Sequence, residues 1–235
     1  MNNNDFLKIL TKSFLKCLET NPRSNEKLKI LHWAIAQDLS NRLWKEYTIK
    51  SLGFEEGKES DIEWHYMPKK VDISIFKGDK ALWWIAVKFV MSNYSQNSNN
   101  YFENMLWETA NLRCNNKIYY QILILPSHLP YFKEKGEIGK IETITPHNIG
   151  KYIQLSKDNS ALFLHAPEKT LLILIDIPLF NQETIKNQHQ YNDYYLEKQE
   201  LNIQYSKQSF DFWDIVIYND YEEFIEKVYH GIHSL

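Results

Sequence analysis

Apolar positions near the start of the chain recur at three- and four-residue steps. Phe6, Leu7, Leu10, Phe14 and Leu18 form one such stripe, which predicts an amphipathic helix. Pro22 breaks it, and Ser24 or Asn25 can cap a second helix whose apolar face runs through Leu28, Leu31, Ile35, Leu39 and Leu43, with Gly53 as its stop. These helices fill residues 5–52. The period then changes to that of strands, expected at Ile62–Met67, Val71–Phe76 and Leu82–Val90. The last is apolar on both faces, as a central strand is. Met91–Asn100 reads as an amide-rich loop, Tyr101–Arg113 as a helix, and Tyr119–Leu125 as a buried strand ended by Pro126.

Residues 126–235 are patterned less regularly. They predict a strand at Ile141–Thr145, a helix from Pro146 to Tyr152, a strand at Leu171–Ile177, and a further strand at Phe212–Tyr218 before a closing helix, Tyr221–His230. The strongly polar Gln182–Glu200 reads as a long loop or an exposed helix. With no internal repeat and no linker, the order of elements predicts a single domain over 1–235: an α/β fold whose central mixed sheet is flanked by helices.

Composition narrows the function only slightly. The chain is 43% hydrophobic and 24% charged with a net charge of −3, so a globally basic nucleic-acid binder is not indicated, while a local basic cleft remains open. Cys17 and Cys114 read as structural thiols of a reducing compartment rather than a disulfide or a zinc site. The N-terminus lacks a basic region and a long apolar run, and no apolar stretch reaches membrane-spanning length. The expectation is a cytoplasmic bacterial protein with no membrane association.

Candidate chemistry concentrates in VDISIFKGDKALWWIAVKFV, residues 71–90. Two apolar runs flank a hairpin signal at Lys77-Gly78-Asp79-Lys80, with Asp72 early in the first and Lys88 late in the second. Side chains two apart on a strand share a face, so Ala86 and Lys88 project together, and the hairpin can bring Asp72 beside them. Ile85, Val87 and Phe89 then pack on the opposite face. A Lys within an otherwise apolar strand faces a site more readily than a core, because burying an unpaired charge is costly. An Asp and a Lys on neighbouring strands also occur as a plain half-exposed pair, and that spacing alone is weak.

The run from Asp72 to Ala86-Val87-Lys88 resembles the PD-(D/E)XK nuclease motif, and the following NYSQNSNNYFENMLWETANLR resembles the segment after the catalytic strand of type II restriction endonucleases. The similarity spans roughly residues 40–180, with Val71 where the motif often has Pro. Ala86 stands where the motif requires Asp or Glu; with Glu the strand would read WWIEVKFV, so the chain is read as carrying an inactivating Glu-to-Ala change. The resemblance implies a restriction-endonuclease-like core and Mg²⁺-dependent hydrolysis of phosphodiester bonds in double-stranded DNA. It implies Asp72, position 86 and the Val87 carbonyl as metal ligands, Lys88 as the residue that orients or activates water, and Glu46, late in the second helix, as a third acid. Glu59 and Glu63 compete with Glu46, and each can equally be a solvated surface carboxylate. It further implies a homodimer on a short palindromic site. A repair or structure-specific nuclease, or an inactive DNA-binding module, are the alternatives.

Signals for DNA recognition are softer. The amides of Asn93, Gln96, Asn97, Asn99 and Asn100 can pair with adenine edges, and Lys69, Lys70, Lys77 and Lys80 can meet phosphates. A flexible polar loop and a solvated turn would look the same. Tyr191, Tyr194, Tyr195 and Tyr205 suit either a DNA-embracing loop or a half-buried surface. His65, His128, His147 and His165 show no paired spacing for zinc or a catalytic triad.

Overall fold

The computed structural model describes residues 1–20, 25–55, 59–63, 68–198 and 200–234, and for 60–63, 68 and 69 the backbone alone. The expectations for Pro22, Ser24, His65 and the side chains of Glu63 and Lys69 therefore lie outside the described residues. Helices α1 (Asn3–Glu19) and α2 (Glu26–Arg42) lead into strand β1 (Tyr47–Ser51), the short β2 (Ser60–Glu63) and β3 (Pro68–Val71), and the hairpin β4 (Ile73–Lys77) and β5 (Lys80–Phe89). Then come α3 (Tyr94–Arg113), β6 (Ile118–Pro126), β7 (His128–Phe132), β8 (Ile138–Thr143) and α4 (Pro146–Ser156). The chain closes with β9 (Lys169–Asp176), α5 (Gln188–Leu196), β10 (Gln204–Tyr205), β11 (Val216–Tyr218) and α6 (Tyr221–His233).

The central sheet has seven strands in the order β1-β4-β5-β6-β9-β10, with β11 also on β9. It is mixed: β1, β4 and β5 run antiparallel, β5, β6 and β9 parallel. The two faces divide the core by the two-residue period of the strands. Trp83, Ile85, Val87 and Phe89 of β5 pack with Ile122, Ile124 and Ile173 under α1, α2, α5 and α6. Leu123, Leu125, Leu172 and Leu174 face α3 and α4 on the other side, where Trp84 meets Leu112 and Tyr119. The expected α/β fold, with a mixed sheet between helices, is what forms. Among the described residues no helix is long and apolar enough to cross a membrane.

Several boundaries differ from the sequence reading. The second helix ends at Arg42, well before Gly53, because Leu43 turns to extended backbone (φ −83°, ψ 151°) and the chain enters β1. Glu46 therefore lies in the turn between α2 and β1, not on a helix. The amide-rich run is not a loop: Gln96, Asn97, Asn99 and Asn100 form the first turns of α3. Asn93 adopts a left-handed conformation (φ 53°), its side-chain amide donates to the Phe132 carbonyl, and its Oδ1 accepts from the Phe132 N–H. Buried Glu142 accepts hydrogen bonds from the Ser95 N–H and hydroxyl, satisfying a donor that the first turn of a helix leaves open. These tertiary partners carry the helix through residues of weak intrinsic propensity. The expected strand at 212–218 shortens to β11, and the polar segment 182–200 contains α5, whose Tyr191 and Tyr195 are buried.

Candidate active site

Asp72 sits between β3 and β4, one residue before the hairpin begins. The last β4–β5 partners are Ile73 and Ile85, so the next backbone group on that edge of β5, the Val87 N–H, lies beyond the β4 ladder. It donates instead to Asp72 Oδ2 at 2.6 Å. A strand residue presents its N–H and C=O to the same edge, so the Val87 carbonyl also faces the Asp72 side. Ser51 Oγ donates to the Asp72 carbonyl and ties the same residue to β1. Asp72 is thus fixed from two strands.

Ala86 and Lys88 lie on the α3 face of β5, beside Gln121 and Leu123 of β6 in the parallel register. Asp72, Ala86, Val87 and Lys88 all line one cavity of about 440 Å³. Its far wall is a single face of α3, with Tyr101, Asn104, Met105 and Glu108 at helical spacing, and its rim includes Asn25 and Lys27 from the start of α2. A smaller cavity of about 220 Å³ shares Lys27, Lys88, Phe89 and Tyr101 and extends toward Gln188 and Asn192 of α5. The two form one cleft with two lysines at its waist.

The electrostatics follow from that enclosure. Desolvation by the cavity walls pushes the Lys88 ammonium below the ordinary lysine range; Asp72 opposes this and Lys27 adds to it. Lys88 Nζ stands 4.8 Å from the centre of the Tyr101 ring, a cation–π arrangement. The Gln121 Oε1 is buried without a hydrogen-bond partner among the described residues, on the same face as Ala86. Burial of Glu59 raises its carboxyl, as does the neighbouring Asp72, while His32 and Lys70 work in the opposite sense.

Of the sequence candidates, Asp72, Ala86, Val87 and Lys88 converge. Glu46 does not: it pairs with Lys77 at 4.0 Å, and an extended strand from Asp72 to Lys77 spans about 16 Å. Glu59, the competing candidate, has a ligand atom within 4.8 Å of those of Asp72 and His32 but does not line the cavity. The recognition amides also lie elsewhere. Asn93 is consumed by Phe132, Asn97 donates to the Asn93 carbonyl, Asn99 accepts from Lys151, and exposed Gln96 faces a shallow depression beside Tyr131 and Lys140; none lines the cleft, nor does exposed Asn100. Lys70 is exposed on β3. Sequence reasoning missed Lys27, Glu108, Gln121 and His32. His32 occupies a core position of α2, and its only signal was a polar residue beside the apolar stripe of Leu31 and Ile35.

No family model, curated protein or solved structure matches this chain.

Proposed function

We propose that this chain is a DNA-cleaving enzyme of the restriction-endonuclease type whose cutting is disabled at Ala86, and that it binds a short palindromic duplex as a homodimer. The observation that carries the reading is the convergence of Asp72, Ala86 and Lys88 on one cleft where β5 runs past the end of β4. Asp72 is a carboxylate held in place, and Lys88 is an ammonium of lowered pKa that can orient a water as the cation or deprotonate it as the neutral amine. The cleft carries two lysines for a phosphate. At position 86 the strand offers a methyl group. The carboxylate pair that a Mg²⁺ ion between Asp72 and position 86 takes from the protein is therefore incomplete, and no hydrolytic step is assigned to the chain as it stands.

The test restores that carboxylate. Ala86→Glu protein with Mg²⁺ is expected to cut plasmid DNA into discrete bands, while the parent chain binds DNA without cutting. Cleavage without discrete bands would point to a repair or structure-specific nuclease. DNA binding with no cleavage by Ala86→Glu would leave a binding module that kept the fold.

A further inference from the structure

His32 of α2, Glu59 and Asp72 cluster at the sheet edge, and neither His32 nor Glu59 lines the cavity formed by Ala86 and Lys88. Their ligand atoms all lie within 4.8 Å of one another. His32 is completely buried, and neither ring nitrogen has a hydrogen-bond partner among the described residues. A buried polar group without a partner costs about 1–3 kcal/mol and calls for an explanation. Its Nε2 points to Asp72 Oδ1 across 3.9 Å, too far for a hydrogen bond. Two ligands bound at about 2.1 Å to a tetrahedral ion stand about 3.4 Å apart, so an ion between them would draw the pair together by about 0.5 Å. The Val87 N–H holds Oδ2 and turns Oδ1 toward His32, the kind of supporting hydrogen bond that orients a metal-bound carboxylate.

The geometry points to a divalent metal site built from His32, Glu59 and Asp72 that selects a first-row transition ion such as Mn²⁺ or Zn²⁺ over Mg²⁺. One imidazole with two carboxylates is a mixed nitrogen and oxygen donor set. Mg²⁺ prefers oxygen ligands and retains its waters, whereas imidazole raises affinity for later divalent ions. Position 86 is not among these three ligands, so the site is complete in this chain although the cleft lined by Ala86 is not. It shares Asp72 with the proposed nuclease centre and rests on that reading only for what the ion is used for.

Mn²⁺ binding to the full chain without DNA, followed by electron paramagnetic resonance, tests it. One tightly bound Mn²⁺ per chain is expected, retained in excess Mg²⁺ and carrying the ¹⁴N hyperfine coupling of an imidazole. His32→Ala should abolish that coupling and weaken Mn²⁺ by at least about tenfold, since losing a ligand costs no less than losing an outer-shell partner, about 10- to 100-fold. Glu59→Gln should weaken binding while keeping the coupling, and carries the test should His32→Ala fail to fold by circular dichroism. No bound Mn²⁺, ready displacement by Mg²⁺, or unchanged affinity in a folded His32→Ala or Glu59→Gln protein would overturn the assignment. Because no DNA enters the assay, an inert Ala86→Glu protein would refute the nuclease reading alone.

Discussion

The Asp72 carboxylate accepts the Val87 N–H at 2.6 Å and so replaces the ladder bond that β4 ceases to supply. One side chain thereby completes the sheet edge and defines the candidate site. The two roles separate by substitution. Asp72→Asn keeps an acceptor oxygen but loses the charge, so it should unfold in urea close to the parent while Mn²⁺ affinity falls. Asp72→Ala strands a backbone donor and should lose about 1–3 kcal/mol of stability in the same measurement. Equal loss in both variants would mean that the charge, not the hydrogen bond, holds the edge.

Glu59 and Glu46 give opposite expectations for the third acid. In an Ala86→Glu background with measurable cleavage, Glu59→Gln should lower the rate by about tenfold or more, because Glu59 acts through its neighbour Asp72, as an outer-shell partner of a metal ligand does. Glu46→Gln should leave it unchanged, because Glu46 pairs with Lys77 at the far end of the hairpin. Single-turnover cleavage of a plasmid reads both.

The acidic assignment shows what the sequence could carry. Asp72, Ala86 and Lys88 were legible because strand alternation fixes which side chains share a face, and one hairpin sets the distance between strands. Glu46 misled because Leu43 extends the apolar stripe of α2, while the true stop is a backbone turn at Leu43 with no Gly or Pro to announce it. The helix through Gln96–Asn100 was illegible for a different reason: its first turn depends on Glu142, which is far away in sequence. His32 was hidden by its own burial, since a histidine beside a core stripe looks like any filler of that stripe.

Burial pushes the His32 imidazole down from its ordinary value to about 4, with Glu59 opposing. In metal-free buffer the unfolded chain takes up this proton below about 6.5, while the folded chain resists until about 4. Stability should therefore decline as pH falls through that window and level off below it. The full effect is on the order of 3 kcal/mol from this group. Urea unfolding at pH 7 and pH 4.5, with chelator present, should show a drop that His32→Gln lacks. An identical drop in both proteins would assign the acid sensitivity to other groups.

Gly231 of α6 lies directly over the Tyr120 hydroxyl, so close that a Cβ at this position would overlap the oxygen. Tyr120 is buried in the sheet and its ring cannot swing aside without disturbing Phe224, which meets it edge-on at 6.2 Å between centroids. In an exposed helix, Gly to Ala is stabilising by about 1 kcal/mol, because Ala gives up less backbone entropy. Here the steric cost opposes that gain, and overpacking a core typically costs about 1–3 kcal/mol. Gly231→Ala should therefore destabilise the parent chain in thermal or urea unfolding. Removing the obstructing oxygen should reverse the sign: in a Tyr120→Phe background, the same Gly231→Ala change should be neutral or stabilising. The Tyr120 oxygen has no hydrogen-bond partner among the described residues, so Tyr120→Phe itself forfeits no bond to them. A Gly231→Ala effect of equal size in both backgrounds would place the clash elsewhere in the packing of α6.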